Sequence, residues 1–489
     1  MKMNNQNRRN LHWISRRACA AVLAIWLLCG ALPTALAASA GAKQTLESNM
    51  GTISVETFYR SLAAGQTSTR QYQYENGDVF QSVRFAPAGT GSGCVETLYF
   101  AGTAGELRYY ADDAWQIEPL QTGVYPAGMY FFQVGEQAAI VSLPRCYQDR
   151  ANDCIEALPA QDGFMVVSAV GTGFLVRLMV PPAPDGSYFT YYLLQGSGAA
   201  IDWSRSDAQS QWSGFQMEDA NRWTYRGYYY TAPYNYIPTG EHYFHRIPVS
   251  YIPIKMLDCP DLAARELAIP MLHVMLELQN ASGYFPTRAG SEWLLGDYQI
   301  SANFYDTRFS TDMALGLLSA YERYGVAPFW EAAKAYGDFL VWYAQQTHRV
   351  YTNAQTGESG WLLGDYWDAD GNLPVHTSLN HQLCETLFLY RLEHLTGETV
   401  YGETADRMLQ GLTAVGTDWL QPDGNLWYSI DPDGTMGGTE YPYLTYNDLY
   451  DLQNMLQICR GGRDPVLQQL MDSKLQWMQA NGIEGYKQD

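Results

Sequence analysis

Positively charged side chains are scarce in this chain of 489 residues. It has 30 Lys and Arg against 51 Asp and Glu, which gives a formal net charge of −21 at pH 7. Nucleic acids and anionic membrane surfaces are bound through clustered cations that replace counterions. We therefore expect neither of them as a partner.

Long apolar runs are scarce as well. One runs from Ala18 to Leu32, after the basic pair Arg16-Arg17 and before the small residues Ala35-Leu36-Ala37. This order is typical of a secretory signal peptide, and the run falls short of the roughly 20 residues that span a bilayer. We predict a signal peptide over residues 1–37, cleaved after Ala37. The mature protein is then expected to be secreted or extracytoplasmic, without a membrane contact.

Cysteine is sparse, and after the predicted cleavage it remains only at Cys94, Cys146, Cys154, Cys259, Cys384 and Cys459. The absence of a CxxC pair argues against a structural zinc ribbon. An oxidising compartment permits disulfides, and Cys146 with Cys154 is a plausible short bridge. Cys384 and Cys459 lie on predicted helix faces, where a thiol also serves as a small buried apolar group.

Tyrosine, by contrast, is abundant, with 37 Tyr beside 14 Trp and 17 Phe. Disordered chains are poor in aromatic residues, so most of this chain is expected to be folded. Exposed aromatic rings suit sugars, while half-buried β-structure also accounts for many tyrosines. The composition leaves both explanations open.

The first half of the chain has a β-type pattern. Residues 38–90 are polar and weakly patterned, and we interpret them as an extension with one short helix near Val55 to Leu62. Over residues 91–235, short aromatic or β-branched runs alternate with turn residues, at Glu96–Phe100, Glu106–Ala111, Met129–Val134, Phe164–Val170, Phe174–Val180 and Tyr188–Leu194. This pattern predicts a β-rich domain related to a sandwich. Residues 236–260 are interpreted as a linker rich in Pro and Tyr.

From Asp261 onward the apolar spacing becomes helical, as over Ala263–Leu278, Trp330–Tyr343 and Met408–Val415. The hexapeptide WLLGDY at Trp293–Tyr298 recurs at Trp361–Tyr366. Helix-start signals follow at Ser310-Thr311-Asp312, Ser378-Leu379-Asn380 and Thr445-Tyr446-Asn447, and each helix is expected to end near a glycine, at Gly325, Gly397 and Gly461.

The repeated unit of about 67 residues is a helix–loop–helix that must stack on its neighbours to bury its apolar face. We therefore predict an incomplete (α/α) toroid over residues 261–489. The fold class expected for the chain is an all-β N-terminal domain followed by this all-α toroid. The long loops should gather at one end, and that end collects Tyr298, Asp306, Arg308, Asp365, Tyr366, His376, Tyr428, Glu440 and Tyr441.

Three segments resemble the C-terminal domain of D-glucuronyl C5-epimerases, which convert glucuronate to iduronate within a polysaccharide. They are Asn303-Phe304-Tyr305 before a helix, Pro374–Asn380 before a helix with Leu389-Tyr390-Arg391-Leu392, and Asn425–Ser429 followed by Glu440–Asn447. The resemblance covers about half of the chain and implies a β-rich region followed by an α/α domain. Pro442-Tyr443-Leu444 stands where the family has His-rich residues.

C5 epimerisation removes the proton next to a carboxylate and returns one to the opposite face. It needs a base, an acid, and donors or cations for the enolate-like charge. The resemblance implies Tyr428 and Tyr441 as the proton-transfer pair, with Glu440 and Tyr366 as further catalytic candidates. The substrate-binding candidates are Arg308, Tyr305, His376, Asn447 and Asp365. Arg308 is favoured for the carboxylate because a guanidinium binds it through two hydrogen bonds.

Each candidate also has a structural explanation. A tyrosine often packs half-buried, Arg308 could form a loop salt bridge, Asn447 could cap a helix, and Asp365 could fix a turn. We expect no cofactor and no metal ligands. Asp368–Gly371 and Asp431–Gly434 resemble fragments of Ca²⁺ loops, but a full loop needs about six oxygen ligands, so ordinary turns are favoured.

The sequence thus predicts a secreted uronosyl C5-epimerase-like enzyme acting on glucuronate residues of a polysaccharide. Because the chain is acidic, the substrate should be sparsely charged. One alternative is a polysaccharide lyase or glycoside hydrolase, in which Asp365 and Glu440 supply two carboxyls about 5 to 9.5 Å apart. Another is a glycan-binding protein that uses its aromatic loops without catalysis. The oligomeric state stays open.

Overall fold

The computed structural model describes residues 37–89, 91–198, 200–216, 220–231 and 235–488. The predicted signal peptide, apart from Ala37, lies outside these residues and stays a prediction. Within the described ranges, no helix combines the length and the apolar character that crossing a membrane requires.

The strands alternate with short turns in the first half and become very short in the second. They are β1 (Ala37–Ser48), β2 (Gly51–Leu62), β3 (Gly65–Gln73), β4 (Val79–Pro87), β5 (Gly93–Ala101), β6 (Glu106–Ala111), β7 (Ala114–Pro119), β8 (Gly123–Tyr125), β9 (Met129–Val134), β10 (Gln137–Asp149), β11 (Cys154–Ala157), β12 (Phe164–Val170), β13 (Gly173–Val180), β14 (Ser187–Ser197), β15 (Asn221–Thr224), β16 (Gly227–Tyr230), β17 (Tyr236–Ile237), β18 (Tyr243–His245), β19 (Pro286–Thr287), β20 (Gly290–Ser291), β21 (Phe304–Asp306), β22 (Arg349–Thr352), β23 (Ser359–Leu362), β24 (Tyr366–Trp367), β25 (Thr377–Ser378), β26 (Ser429–Ile430) and β27 (Met436–Gly437).

The helices lie mainly after residue 250. They are α1 (Ala208–Gly214), α2 (Tyr251–Met256), α3 (Leu262–Met275), α4 (Glu292–Tyr298), α5 (Thr307–Tyr324), α6 (Ala327–Thr347), α7 (Leu379–Thr396), α8 (Thr399–Val415), α9 (Leu444–Arg460) and α10 (Pro465–Ala480). Short 3₁₀ turns cover Pro159–Gln161, Leu276–Leu278 and Gly416–Trp419.

A 13-stranded antiparallel sheet dominates the first half. Its main path is β1-β2-β3-β4-β14-β10-β11-β18-β16-β15, and β9, β6 and β7 continue from β10 at its side. A second sheet, β5-β13-β12-β8, packs on one face. Strand β13 shows why: its alternate residues Phe174, Val176, Leu178 and Val180 are all buried, as period-two alternation requires. They form a core with side chains of the large sheet such as Phe85.

The other face of the large sheet packs on helix α3. Apolar side chains of β1–β4, β10 and β14 belong to the same core as those of α3 and the later helices. Two tyrosines join the halves by hydrogen bonds: the Tyr72 hydroxyl lies 2.8 Å from His273 Nδ1, and the Tyr74 hydroxyl donates to the Glu266 carbonyl at 2.8 Å.

The later helices pair as α5 with α6, α7 with α8 and α9 with α10, and α7 contacts both α5 and α9. The glycine ends are confirmed. Gly325, Gly397 and Gly461 end α5, α7 and α9 in the left-handed conformation, with φ of 70°, 72° and 76°. Such a φ suits glycine because it has no Cβ.

The expected fold class, an all-β domain followed by an all-α toroid, is wrong. The structure is 34% helix and 34% strand, and the two types mix along the chain. Helix α1 lies within the β-rich half, and strands β19–β27 lie among the later helices. These strands are mostly two to four residues long, too short to show a period in the sequence.

Residues 38–90 are not an extension with a helix but the strands β1–β4 of the large sheet. The helix expected near Val55 to Leu62 is part of strand β2. Several inward side chains here are polar, such as the buried Thr67 and Thr69, which masks the alternation in the sequence. The six strands predicted over residues 91–235 are confirmed, and the predicted linker 236–260 holds β17, β18 and α2.

All six cysteines of the described residues are free, so the bridge considered between Cys146 and Cys154 is not formed. The Leu158 N–H donates to the Cys146 carbonyl, and the Arg150 N–H donates to the Cys154 carbonyl. The two thiols thus sit four residues apart along the β10–β11 ladder, about 13 Å at 3.3 Å per residue, beyond the reach of a disulfide.

Candidate functional site

Short strands bring the loops before α5, α7 and α9 together. Strand β24 pairs with β21, which sets Tyr366 opposite Asp306. Strand β25 pairs with β26, which sets Ser378, the residue before α7, opposite Ser429. The loops thus meet above the first turns of α5 and α7. These helix N-termini carry unpaired N–H groups and a partial positive charge, and both stabilise acidic side chains placed next to them.

Asp365 is the centre of this site. Its side chain is 1% exposed, and Oδ1 accepts a hydrogen bond from the Ser378 N–H at 2.7 Å. Oδ2 accepts from the Ser378 hydroxyl and lies 3.2 Å from His376 Nε2 and 3.7 Å from His381 Nδ1. Burial alone would raise the pKa of Asp365, but the histidines and hydrogen bonds hold it below its ordinary value. Asp365 is therefore a buried carboxylate ion at neutral pH.

His376 joins this carboxylate to a tyrosine. Its Nδ1 lies 2.9 Å from the hydroxyl of Tyr298, at the end of α4. Its Nε2 is within ion-pair distance of Asp365, although poorly aligned for a hydrogen bond. Burial would lower the pKa of His376, but Asp365 raises it above the ordinary value. Tyr298, His376 and Asp365 thus form a continuous polar chain from the loops to the core.

His381 has the opposite character. It lies in the first turn of α7, and its Nδ1 is 2.9 Å from the Thr307 hydroxyl. Burial lowers the pKa of His381 to about 4, so this ring is neutral at pH 7. The two histidines beside Asp365 therefore differ: His376 can carry a proton, and His381 serves as a neutral hydrogen-bond partner.

Aromatic rings surround His376. Trp293 stacks on it with centroids 6.1 Å apart, and Tyr366 and Tyr428 lie 6.0 and 6.2 Å away. Tyr441 meets Tyr428 edge to face at 5.9 Å. Trp293 is 38% and Tyr441 47% exposed, so these two rings mark the side open to solvent. Burial raises the pKa of Tyr298 to about 12 and also raises the pKa of Tyr428 and Tyr441, so all three phenols are neutral at pH 7.

Arg308 is bound by two of the protein's own carboxylates. Its Nε donates to both oxygens of Asp312 at 2.9 and 3.0 Å, and its two terminal nitrogens donate to Asp448 at 2.7 and 3.1 Å. It also donates to the Asn380 carbonyl at 3.1 Å. Burial would lower the pKa of Arg308, but the two carboxylates hold it well above the ordinary value. The structure thus places Arg308 as a clamp joining α5, α7 and α9.

Two further carboxyls have strongly shifted pKa values. Asp306 caps α5 by accepting from the Phe309 N–H at 2.9 Å, and burial raises its pKa to about 7. Glu440 Oε1 accepts from the Thr445 hydroxyl at 2.6 Å, while its buried Oε2 has no hydrogen-bond partner within the described residues. Burial raises the pKa of Glu440 to about 7. Both can be proton donors near neutral pH.

We expect Glu440→Gln to flatten the pH dependence of stability. Because the folded state raises the pKa of Glu440 to about 7, this group's stabilisation is complete below its ordinary pKa of 4.5 and is lost as pH rises through 7. The wild type should lose on the order of 3 kcal/mol more than the variant between pH 5 and pH 8. Urea unfolding at both pH values measures this. The exposed Glu358→Gln is the control, and equal losses in wild type and Glu440→Gln would contradict the assignment.

The predicted site residues divide into two groups. The loops bring together Asp365, Tyr366, His376, Tyr428, Glu440 and Tyr441. Tyr305 is fully buried, and its hydroxyl lies 2.8 Å from that of Tyr336, within the helical core. Asn447 accepts from the Lys487 N–H at 2.9 Å and holds the end of the chain. Neither of these two contributes to the aromatic opening.

Sequence reasoning placed Tyr298 at the loop end without assigning it a role, and it did not select Trp293 or Ser378 as site residues. Trp293 and Tyr298 begin and end the first WLLGDY hexapeptide, and its repetition was a usable signal. Ser378 was selected only as a helix start, and nothing in the sequence shows that its hydroxyl reaches Asp365.

The two Asp-x-Asp-Gly segments form turns. The Asp370 N–H donates to Asp368 Oδ1 at 3.0 Å, and the Thr435 N–H donates to Asp433 Oδ1 at 2.9 Å. The carboxylates thus accept from the backbone of their own turns. The residues with described positions contain no group of three or more His, Cys, Asp or Glu side chains arranged for a metal ion.

In sequence, the chain matches no protein-family profile and no curated protein. Among solved structures it is similar to a D-mannose isomerase, with a TM-score of 0.34, 13% identity, and coverage of 47% of this chain and 59% of the other. A family 76 glycoside hydrolase from a bovine Bacteroides thetaiotaomicron strain has a TM-score of 0.38 and 13% identity over 82% of this chain and 75% of that one. A cellobiose 2-epimerase from Bacillus thermoamylovorans has a TM-score of 0.32 and 9% identity over 42% of this chain and 52% of that one. These scores are too low to establish a shared fold.

Proposed function

We propose that this protein is an enzyme acting on carbohydrates, and that its reaction is proton transfer at a sugar carbon of the C5-epimerase type. The observation that carries the proposal is the chain Tyr298–His376–Asp365, open to solvent beside exposed aromatic rings. The substrate proposed is a glucuronate residue within a sparsely charged polysaccharide.

Tyr298 is the base in this proposal. With Asp365 ionised, His376 carries its proton on Nε2 and offers the lone pair of Nδ1 to the Tyr298 hydroxyl. The Tyr298 proton passes to His376 as the phenol oxygen takes the proton from carbon. The C–H bond breaks, its electron pair enters the enolate-like intermediate, and the imidazolium is stabilised by Asp365. This division of roles is that of a nucleophile–His–Asp triad, with a phenol in place of the serine.

The proton returns from the opposite side. Tyr428 and Tyr441 hold neutral phenols, and the partly exposed Tyr441 can exchange its proton with water. Donation from one of these hydroxyls to the intermediate forms the new C–H bond with inverted configuration. Expulsion of the 4-linked sugar from the same intermediate would instead give a lyase.

Because Arg308 is bound by the protein's own carboxylates, it is not available to bind the carboxylate of a substrate. A uronate carboxylate would meet the His376 imidazole and neutral hydroxyl groups instead of a free guanidinium. Such a site tolerates few charges, which supports an unsulfated polysaccharide.

Deuterium exchange tests the proposal. The protein is incubated in D₂O with an unsulfated glucuronate polysaccharide, and NMR follows deuterium at C5. We expect exchange without chain cleavage, and Tyr298→Phe should lower its rate on the order of 10³-fold because the phenol oxygen is the base. Tyr99→Phe, an exposed tyrosine on β5, is the matched control.

Other outcomes would replace the proposal. D-mannose and cellobiose are separate substrates in the same assay, and deuterium at their C2 would indicate a sugar isomerase or 2-epimerase. New unsaturated ends would indicate a lyase. Saccharide binding without product or exchange would indicate a glycan-binding protein.

Glycoside hydrolysis is the second candidate, favoured by one observation. Burial raises the pKa values of Asp306 and Glu440 to about 7, while Asp365 stays ionised. A glycoside hydrolase needs one protonated carboxyl as the general acid and one ionised carboxylate, and these residues provide both. New reducing ends, lost in Glu440→Gln or Asp306→Asn but retained in Tyr298→Phe, would favour it.

A further inference from the structure

A buried lysine lies behind the opening of the candidate site. Lys474 is on helix α10 and is 0% exposed, although lysine side chains usually lie at the surface. Its Nζ donates to the side-chain oxygen of Asn425 at 2.6 Å and to the Tyr441 carbonyl at 2.9 Å. These two acceptors are the first and last residues of segment 425–441, which contains Tyr428 and the strands β26 and β27. One ammonium group thus joins both ends of the segment that supplies the two proposed proton donors.

Tyr441 depends on its backbone contacts for its position. It is 47% exposed and lies between β27 and α9, outside any helix or strand. Its N–H donates to Glu440 Oε1 at 2.7 Å, and its carbonyl accepts from Lys474. Glu440 Oε1 also accepts from the hydroxyl of Thr445, in the first turn of α9. Both backbone polar groups of Tyr441 are therefore held by titratable side chains, and loss of either contact would free the ring to move.

Lys474 and Glu440 also influence each other's charge. Burial lowers the pKa of Lys474, while Glu440 and Asp423 act to raise it. Burial raises the pKa of Glu440 to about 7, Lys474 acts to lower it, and Asp448 of α9 acts to raise it. Asp448 is itself paired with Arg308. The positive charge of Lys474 thus favours ionised Glu440, and its removal should raise the pKa of Glu440 further.

We propose that Lys474 is a positioning residue of this site, and that it holds the Tyr441 hydroxyl in place to return the proton to the face opposite Tyr298. The proposal rests on the proposed function and assigns the return step to Tyr441. The Tyr428 carbonyl accepts from the Leu379 N–H at 2.9 Å, so Tyr428 has a backbone anchor on α7 that does not involve Lys474. Apolar side chains of similar volume often replace buried charges without loss of stability, so stability alone does not explain a lysine here.

The return step is balanced in protons and electrons. Tyr441 gives its O–H proton to C5, and the electron pair of the enolate-like intermediate forms the new C–H bond. The Tyr441 phenolate then takes a proton from solvent, and the His376 imidazolium releases one to solvent.

The partition of deuterium between two products tests the proposal. In D₂O, deuterium that returns from the Tyr298 face gives glucuronate, and deuterium that returns from the Tyr441 face gives iduronate. We expect Lys474→Met to lower the ratio of deuterated iduronate to deuterated glucuronate about tenfold or more, because misplacement of a reacting group by about 1 Å costs up to about 10²-fold in rate. Tyr441→Phe should lower the ratio at least as far. The double variant should fall no further than Tyr441→Phe, since both changes act on one step.

Ser473→Ala is the matched control. The Ser473 hydroxyl donates to the Gly424 carbonyl at 2.8 Å, one residue before Asn425, so this change loosens the same segment without removing a charge. Carbon-13 NMR of labelled glutamate follows the titration of Glu440, whose signal is identified by its loss in Glu440→Gln. We expect the midpoint of this titration at higher pH in Lys474→Met than in wild type, and unchanged in Ser473→Ala.

The outcomes separate this proposal from the proposed function. No exchange in wild type would overturn both. Exchange in wild type without iduronate, or an unchanged product ratio in Lys474→Met, would overturn only the role of Lys474. An equal fall of the ratio in Ser473→Ala, or an unchanged Glu440 midpoint in Lys474→Met, would also overturn it. Thermal unfolding shows which variants are folded, and Lys474→Gln, which keeps a donor without the charge, takes the place of Lys474→Met if that variant does not fold.

Discussion

Asp365→Asn should abolish turnover while leaving most of the fold intact. The substitution keeps the side-chain shape but removes the charge that holds His376 protonated on the side facing Asp365. An amide would also present N–H groups to Ser378 and His381, which now face an acceptor. We expect deuterium exchange to fall on the order of 10³-fold or more, as expected when the carboxylate behind a catalytic histidine is lost.

A spectroscopic measurement separates this effect from general damage. Because Asp365 raises the pKa of His376, the His376 ring should titrate at lower pH in Asp365→Asn, which NMR of the imidazole protons detects. The matched control is Asp297→Asn, the same position in the other hexapeptide, where the aspartate is exposed. If Asp365→Asn exchanges deuterium like wild type, the Tyr298–His376–Asp365 chain is not the catalytic machinery.

Arg308→Met should cost mainly stability. The change leaves Asp312 and Asp448 buried without their cation, and an uncompensated buried charge costs about 3 to 5 kcal/mol. We expect the free energy of unfolding in urea to fall by about this amount. The sequence instead suggested Arg308 as the ligand of the substrate carboxylate, which would raise KM without affecting stability.

An arginine on the neighbouring helix provides the control. Arg391 on α7 pairs with Glu322 on α5 near the surface, with side chains 23% and 41% exposed. Exposed ion pairs contribute about 0 to 1 kcal/mol to stability, so Arg391→Met should lower the free energy of unfolding by no more than about 1 kcal/mol. A large KM increase in Arg308→Met with unchanged unfolding would restore the substrate-binding role.

Secondary structure was predictable where the periodic pattern of apolar residues extends over many residues. Strands such as β6, β9 and β12 match their predicted bounds, and α3 follows its helical spacing. Prediction failed where burial is achieved by polar side chains, as at Thr67 and Thr69 in β3. It also failed for the two-residue strands, which exist because distant loops pair and not because their own sequence favours a strand.

The hexapeptide WLLGDY shows that local sequence alone does not determine secondary structure here, because its two copies adopt different conformations. At 293–298 it forms most of helix α4, and at 361–366 it covers the end of β23, a turn and the start of β24. Ser291 caps the first copy, while the second pairs with β22 and β21. Tertiary partners therefore decide the conformation of the same six residues.

The candidate site was predictable as a location but not as a set of contacts. Repetition placed the long loops at one end, and His376, Tyr428, Tyr441 and Asp365 do meet there. Tyr305 was misjudged because the sequence does not show whether a tyrosine beside a loop points outward or into the core, and here it points into the core. Arg308 was misjudged because its partner Asp448 lies on a helix 140 residues further along the chain, although its other partner, Asp312, is only four residues away.

The packing interface between the large sheet and helix α3 makes the two halves of the chain a single folding unit. Apolar side chains of β1–β4 lie in the same core as those of α3 and the later helices, so separation of the two halves would expose them to water. The Asn49 N–H even donates to the Tyr324 carbonyl at 2.8 Å, so the hairpin joining β1 to β2 closes the end of α5. Recombination of the helical half with another partner domain would therefore have to preserve this sheet, and the first strands and the later helices are constrained to diverge together.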